Sequence, residues 1–436
     1  MSRTNRRVYA GVAAGAALTL ALTGCGVGGD GGADSGGSGT DGKIAGKITF
    51  QTWNLKGGYE KYFDGLIDAF EKKHPGTTVT WVDQPAEGYQ DKLSADAAGG
   101  NLPDVVDMGP EAAYTLAGAG MLLNVAEDDP EAEEGYLPTA WDAMTFDGID
   151  GGTYGYPWYL NTGPSFFNTD LFEKCGLDPE KLPETYGELF DQAAVMSENC
   201  GDEGISMIGR MPTIETFGMY GAELMNGDGT EFTFNDAEGV ELVERYQALY
   251  EDSGLTEESL NALQTGELDS FKSGQLGWLP GSSYTLSDLK KTAPDVAKTV
   301  AMGPLIANTA PNMYLESLVV NSESENTATA KAFARFATDP KNQLAFAKEA
   351  SVFPSTAGTL DDPYFTEDDG TDEGRLRTEA AAQVGEAVVW WPPAFSGGPD
   401  VENLREQIAG ALLGKKTAKE ALDDAVDYSN DRLAKQ

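Results

Sequence analysis

KITFQTW at residues 47–53, TVTWV at 78–82 and VVDM at 105–108 are three short runs rich in β-branched, aromatic and other apolar residues. Between the first two runs, large apolar side chains recur at three- and four-residue spacing from Tyr59 to Lys73, which predicts an amphipathic helix. A second helix, ended by Gly99-Gly100, is expected before the third run. This alternation predicts a parallel sheet with helices on both faces, as in α/β folds.

The chain beyond this segment predicts a second set of strands and helices. A strand is expected at 165–168, and Thr185 with Glu188 has the spacing of a capping box that opens a helix. Further helices are predicted at about 237–251, twice within 327–350, and near 401–413 and 417–434. The 436-residue length fits two lobes better than one.

The N-terminus has the features of an export signal. A basic start containing Arg6-Arg7 precedes an apolar stretch from Val8 to Leu22. The stretch ends in LTGC at 22–25, which resembles the lipobox of bacterial lipoproteins. We therefore expect residues 1–24 to be a signal peptide. We also expect Cys25 to carry a lipid anchor that includes palmitate. The alternative is an ordinary signal peptide with an incidental cysteine.

Residues 25–46 are mostly Gly, Asp, Ser and Thr, and such a composition predicts a flexible tether. The tether and lipid together would hold the folded body on the extracellular face of the cell membrane.

Charge and cysteine content narrow the possible partners. The chain has 71 acidic and 30 basic residues, a formal charge of −41, which disfavours nucleic acid as a partner. Beyond Cys25 only Cys175 and Cys200 remain, and in an exported body they are expected to form a disulfide. Two buried thiols are the alternative.

Several separated motifs resemble one known family. They are KITFQTW at 47–53, FEKKHPG at 70–76, GGNLPDVV at 99–106, YGYP at 154–157, FNTDLFEKCGL at 167–177, FKSGQLGW at 271–278 and FPS at 353–355. Their order and spacing resemble family 1 extracellular solute-binding proteins, the group that includes maltose-binding proteins.

The resemblance implies an α/β, two-lobed periplasmic-binding-protein type II fold with hinge crossovers. Lobe 1 would comprise 47–153 plus about 312–360, and lobe 2 about 154–311 plus about 361–436. It also implies a monomer without a cofactor that captures a carbohydrate between its lobes. The protein would deliver this sugar to the permease subunits of an ABC transporter and catalyse nothing.

Candidate ligand-binding residues were sought in loops that follow strands, because ligands of doubly wound folds lie beyond the carboxyl ends of strands. Aromatic rings can cover the apolar faces of a sugar, and neighbouring polar groups can bind its hydroxyls. For each tryptophan, burial in the core is an equally good interpretation. The candidates are Trp53, Asn54, Glu111, Trp158, Tyr159, Asn161, Trp278, Gly281, Ser282, Tyr284, Tyr314, Glu316 and Trp391, the last preferred slightly over Trp390.

Other functions have weaker support. A secreted glycosidase needs two catalytic carboxyl groups. Because the chain has 71 acidic residues, a candidate pair can always be found, so its presence does not indicate a glycosidase. His74 is the only histidine and is expected to be a solvated helix end, which leaves no Ser–His or Cys–His pair and no metal site. A non-sugar ligand such as a peptide or polyamine stays open, and so does an anionic sugar if Arg210 reaches the cleft.

Overall fold

The computed structural model describes residues 42–260, 264–395 and 398–435. The predicted signal peptide, the lipidation site Cys25 and nearly all of the predicted tether lie outside these residues. No helix within the described part of the chain is long and apolar enough to cross a membrane.

The described residues contain a six-stranded and a three-stranded sheet, plus one short two-stranded pair. The strands are β1 (Gly46–Trp53), β2 (Thr77–Gln84), β3 (Val105–Met108), β4 (Thr145–Phe146), β5 (Gly152–Thr153), β6 (Tyr156–Asn161), β7 (Ser165–Asn168), β8 (Trp278–Pro280), β9 (Val300–Gly303), β10 (Tyr314–Val320) and β11 (Phe353–Pro354).

The large sheet has the order β11-β6-β10-β3-β1-β2. Strands β1, β2 and β3 are parallel, as the sequence predicts. Strand β10 runs antiparallel to both β3 and β6, so the sheet is mixed rather than wholly parallel. The reason is topological. The chain leaves this sheet to form β7, β8 and β9, and on its return β10 enters the sheet from the end opposite to that at which β1, β2 and β3 enter.

Helices connect and cover these strands. They are α1 (Lys56–Lys73), α2 (Tyr89–Ala98), α3 (Pro110–Gly118), α4 (Val125–Asp128), α5 (Pro138–Asp142), α6 (Thr169–Lys174), α7 (Tyr186–Cys200), α8 (Ile214–Tyr220), α9 (Ala237–Glu251), α10 (Gln264–Lys272), α11 (Ser283–Thr292), α12 (Pro294–Ala297), α13 (Thr327–Ala337), α14 (Pro340–Ala350), α15 (Pro363–Thr366), α16 (Asp372–Val384), α17 (Pro399–Leu412) and α18 (Ala418–Leu433).

Local sequence accounts for some helix starts and tertiary contacts for others. The predicted capping box of Thr185 and Glu188 opens α7. Helix α1, in contrast, begins three residues before the predicted Tyr59. The carboxylate of Asp83, at the far end of β2, accepts the backbone N–H groups of Leu55 and Lys56. This cap comes from another strand, so no local pattern could reveal it.

The chain passes from the large sheet to the three-stranded sheet β8-β7-β9 between Asn161 and Ser165. A lobe boundary near residue 154 would separate β6 from its hydrogen-bonded partners β10 and β11, so we place the first crossover after Asn161. At this crossover a Cβ on Gly163 would lie 1.6 Å from the carbonyl oxygen of Gly281, so only glycine fits there.

Cys175 and Cys200 form the predicted disulfide, with their Cα atoms 5.7 Å apart. Cys175 follows the last residue of α6, and Cys200 is the last residue of α7. Both side chains are buried within the apolar core around β7, which also includes residues from α9, α17 and α18.

Candidate functional site

A cleft of about 510 Å³ lies between segments that the sequence assigns to different lobes. One part of the lining comes from α2 and α3, and another from Glu215 of α8 together with Val389, Trp391 and Pro393. The beginning of β10 and the residues just before it, 312–316, form the base. A cavity of this size and position is typical of a small-molecule site.

Glu111 lies at the N-terminus of α3, directly after strand β3 has ended. Gly109 precedes the helix, Pro110 is its first residue, and Glu111 is the acidic residue of its first turn, where the helix dipole favours a negative charge. The carboxylate bends back over Gly109, since a Cβ there would lie 2.9 Å from Oε2. Desolvation by the cleft walls raises the pKa of Glu111, although its own backbone N–H opposes this. Glu111 thus presents a carboxyl group to the cleft.

Tyr314, the first residue of β10, projects a largely bare ring into the cleft. It is 64 % exposed, the most exposed of the large apolar or aromatic side chains among the described residues. Desolvation by the surrounding walls and the nearby charge of Glu215 raise the pKa of its hydroxyl to about 12, with Arg210 acting in the opposite direction. An aromatic face left open inside a cleft is a surface on which a sugar ring can stack.

Glu215 is a cleft residue that the sequence analysis missed. It lies in the first turn of α8, which Thr213 and Thr216 cap, and it is only 8 % exposed. Its Oε2 is shielded from water and has no hydrogen-bond partner. Nothing in the local sequence distinguishes Glu215 from any other acid in the first turn of a helix.

Arg210 is the basic side chain near this wall, and it is already bound. Its Nε donates to Oε2 of Glu267 at 2.8 Å, and Glu267 is 2 % exposed. Arg210 does not line the cleft. The guanidinium therefore neutralises a buried carboxylate rather than offering a free positive charge to a ligand.

Asp107 and Glu316 form a pair of carboxyl groups at the base of the cleft. Asp107 lies in β3 and is fully buried, and Glu316 lies in the adjacent strand β10. Burial raises the pKa of Asp107 well above its ordinary value, and the neighbouring Glu316 raises it further. Burial also raises the pKa of Glu316, while a hydrogen bond from Asp107 opposes the rise. We conclude that the pair holds a proton, most favourably on Asp107.

This carboxyl pair leaves acceptor atoms unused. Both oxygens of Asp107 and Oε2 of Glu316 are shielded from water and, apart from the contacts between the two carboxyl groups and with Trp53, have no hydrogen-bond partner. Asp107 is the acidic residue within the otherwise apolar run VVDM, and that isolated charge is the sequence signal by which it could be recognised.

Of the two adjacent tryptophans, Trp391 lines the cleft and Trp390 does not. The indole of Trp391 donates to the carbonyl of Phe395 at 3.0 Å, which fixes its orientation. Trp390 instead donates to the carbonyl of Ala310 and packs over Gly218, where a Cβ would lie 2.3 Å from its ring.

Two predicted tryptophan ligands belong to the core instead. Trp158 has no exposed surface and packs among Phe50, Phe63 and Phe346. Trp278 is 6 % exposed, and its indole donates to the Ser165 hydroxyl at 2.9 Å. The prediction that these rings stack on a ligand is wrong for this structure, because neither presents a face to the cleft. The alternative of burial in the core, which the sequence left open, is the one observed.

The remaining candidates lie outside the cleft lining. Trp53 and Tyr159 are half-buried and lie near the Asp107–Glu316 pair. Trp53 affects the pKa of Glu316, and the charges of the pair add to the effect of burial on the pKa of Tyr159. Asn161 pairs with Tyr314 across β6 and β10. Asn54 is exposed, with a positive φ of 54°.

Gly281 and Ser282 have structural roles. A Cβ on Gly281 would lie 2.6 Å from the ring of Phe166, and the Ser282 side chain forms a capping box with Thr285 at the start of α11. The side chain of Tyr284 lies outside the described part of the structure.

Comparison with known proteins gives a consistent family. A family profile described as bacterial extracellular solute-binding protein matches residues 65–371. The sn-glycerol-3-phosphate-binding periplasmic protein UgpB of Shigella dysenteriae is 25% identical over 426 residues, covering 90% of this chain and 94% of that protein.

Solved structures agree with the fold. A crystal structure from Synechococcus sp. MITs9220, named as an oligosaccharide periplasmic-binding protein, superposes with a TM-score of 0.75 at 26% identity, covering 89% of this chain and 99% of that one. A cyclo/maltodextrin-binding protein complexed with maltotetraose has a TM-score of 0.70 at 20% identity, over 89% and 97% of the two chains. The expected two-lobed α/β fold is confirmed.

Proposed function

The chain belongs to the family of bacterial extracellular solute-binding proteins, and from this premise we propose that its cleft captures a carbohydrate for an ABC importer. The observation that carries the carbohydrate assignment is the bare ring of Tyr314, 64 % exposed inside a 510 Å³ cleft lined by carboxyl groups. A sugar offers an apolar C–H face to such a ring and hydroxyl donors to such acceptors.

A phosphorylated ligand, such as the one named for UgpB, fits this cleft poorly. Among the described residues that line it, Glu111, Glu215 and Glu316 are acidic and none is Lys, Arg or His. Phosphate sites generally use cationic donors or helix N-termini that lack a competing acid. Here the N-terminus of α3 carries Glu111. We therefore propose that this protein, although it belongs to the same family as UgpB, does not bind glycerol phosphate.

Capture is proposed to favour a closed arrangement of the lobes. The lining residues come from both predicted lobes, with Glu111 on one wall, Glu215 and Trp391 on the other, and Tyr314 at the base. A ligand shifts a conformational equilibrium only by its differential affinity for the two states. Contacts to both walls are complete only in the closed state, so a bridging sugar supplies that difference.

The screen that tests this function uses residues 42–436 and a panel of neutral mono- and oligosaccharides, with glycerol 3-phosphate included. Binding to the native state raises the melting temperature, and calorimetry then gives the affinity of each hit. We expect a saccharide to bind with 1:1 stoichiometry and glycerol 3-phosphate to bind weakly or not at all. Preferred binding of glycerol 3-phosphate would contradict the proposal.

The same samples test our proposal that the protein is not an enzyme. A bound saccharide recovered after prolonged incubation should be chemically intact, because the proposed role is capture and release. Continued accumulation of hydrolysis products would instead favour the glycosidase alternative.

Anchoring through Cys25 and delivery to a permease complete the proposal. Cys25→Ser should shift the protein from the membrane fraction to the medium, or leave an unprocessed precursor detectable by mass. Unchanged fractionation and unchanged mass would contradict lipidation, without affecting the binding function.

A further inference from the structure

The cleft carries acidic groups without matching positive charges. Glu111, Glu215 and Glu316 line it, Asp107 lies behind Glu316, and no described lining residue is basic. The guanidinium of Arg210 is close enough to interact with the charge of Glu215, but it does not line the cleft and its hydrogen bond goes to Glu267. A carboxylate removed from water is costly unless an opposite charge or strong donors compensate it.

One carboxyl oxygen on each of two acids in this cleft also has no hydrogen-bond partner. Glu215 is 8 % exposed, lines the cleft and has an Oε2 without a partner. Glu316, at the base, likewise has an Oε2 without a partner. These two side chains belong to different elements, α8 and β10, and the exposed side chain of Tyr314, also on β10, lines the same cleft.

Sugar hydroxyls could donate to these oxygens, but a neutral sugar leaves the negative charges uncompensated once closure excludes water. An ammonium group satisfies both needs, because it donates up to three hydrogen bonds and carries a positive charge. Its attraction to the face of an aromatic ring adds to this, and Tyr314 supplies such a face.

We propose that the saccharide bound by this cleft carries a basic nitrogen, as an amino sugar does, and that the ammonium lies between Glu215, Glu316 and the ring of Tyr314. This inference rests on the carbohydrate function proposed above and specifies its substrate class. A phosphate or a carboxylate on the ligand would meet three acids instead.

Ionisation of the site should be coupled to binding. The groups that face the Asp107–Glu316 pair are acidic or neutral: Asp83 from β2, Glu111 from α3, Trp53 from β1, and the hydroxyls of Tyr89 and Tyr159. Burial and the charge of Glu111 raise the pKa of Glu316, while hydrogen bonds from Asp107 and Trp53 oppose the rise, so an arriving ammonium should displace a proton from the Asp107–Glu316 pair.

The test compares saccharides that differ only in the nitrogen. The probes are glucose, glucosamine and N-acetylglucosamine, and cellobiose with its diamino and diacetylated counterparts, together with the amino derivative of any neutral saccharide that the screen identifies. We expect an amine to bind about tenfold or more tightly than its hydroxyl and N-acetyl counterparts. Raising the salt concentration should weaken amine binding. Calorimetry in buffers of different ionisation enthalpy should show proton release near pH 7.

Charge-neutralising variants locate the effect. Glu215→Gln and Glu316→Gln should each weaken amine binding about tenfold more than they weaken binding of the matched neutral saccharide, so the ratio of the two affinities should fall. Glu244→Gln, at an exposed acid on α9, is the matched control and should change neither. Circular dichroism and melting curves establish that each variant is folded.

The outcomes separate the two proposals. Neutral saccharides that bind as tightly as their amines, or variants that do not discriminate between the two, would overturn the basic-nitrogen inference and leave the carbohydrate function standing. Tight binding of spermidine with no binding of any saccharide would overturn both.

Discussion

Replacing Tyr314 with alanine should weaken saccharide binding without destabilising the free protein. An aromatic side chain contributes roughly 150–250 Å² of surface, and Tyr314 is 64 % exposed, so roughly 100–160 Å² is available in the free protein. A sugar that stacks on one face would cover about half of this area. At about 25 cal/mol per Å², the lost contact is about 1–2 kcal/mol, or an affinity loss of roughly five- to thirtyfold.

The assay is calorimetric titration of the wild type and Tyr314→Ala with the tightest saccharide from the screen, beside thermal unfolding without ligand. Because the ring is mostly exposed, the unfolding free energy should change by no more than about 0.5 kcal/mol. Tyr428→Ala is a matched control, since Tyr428 is also exposed, at 37 %, but lies on α18 away from the cleft. Unchanged affinity for Tyr314→Ala would refute the stacking role, and a large loss of ligand-free stability would show that the ring is structural.

Three further outcomes follow from burial, ionisation and the disulfide. Trp278→Ala should cost about 3–5 kcal/mol of ligand-free stability, because it empties a core site and leaves a buried hydroxyl without its donor; a melting temperature equal to that of the wild type would contradict this. Burial raises the pKa of Glu316 to about 8, so the folded Asp107–Glu316 pair keeps a proton that the unfolded chain loses near the ordinary carboxyl pKa. Stability should therefore fall as pH rises from 4.5 to 8, by about 2–4 kcal/mol after allowing for partial exposure, and Glu316→Gln should flatten the profile in urea titrations. Replacing both Cys175 and Cys200 with alanine should cost about 3 kcal/mol by the loop-entropy argument for a 25-residue separation, and an unchanged urea midpoint would count against it.

The sequence predicted those elements whose signals are local. Strand β3, strand β7 and helix α9 have the predicted bounds, and the predicted capping box at Thr185 is formed. In each, apolar periodicity and the end signals lie within the element itself. The start of α1 was placed too late because its cap, Asp83, comes from a distant strand.

The cleft was harder to predict, because its lining depends on which side of a strand or loop faces a neighbour. The candidates Glu111, Tyr314, Glu316 and Trp391 line it, although Tyr314 and Glu316 lie within strand β10 rather than in a loop that follows a strand. Trp158 does not line the cleft. It lies two residues after Tyr156 in strand β6, and both side chains are on the face of the strand that packs against Phe50.

The burial of tryptophan side chains is a second reason why the predicted and the observed cleft residues differ. Large aromatic rings pack equally well in an apolar core or against a ligand, so residue type alone does not distinguish the two environments. Glu215 shows the converse: an acid in the first turn of a helix looks ordinary in sequence, and only the fold leaves its Oε2 without a partner at the cleft wall.

The most direct test of the central claim is a crystal structure of residues 42–436 with the tightest-binding saccharide from the screen. The account predicts density for the sugar in the cleft, stacked on Tyr314 and within hydrogen-bond distance of Glu111 and Glu215. A saccharide bound elsewhere on the protein, with this cleft empty, would contradict it.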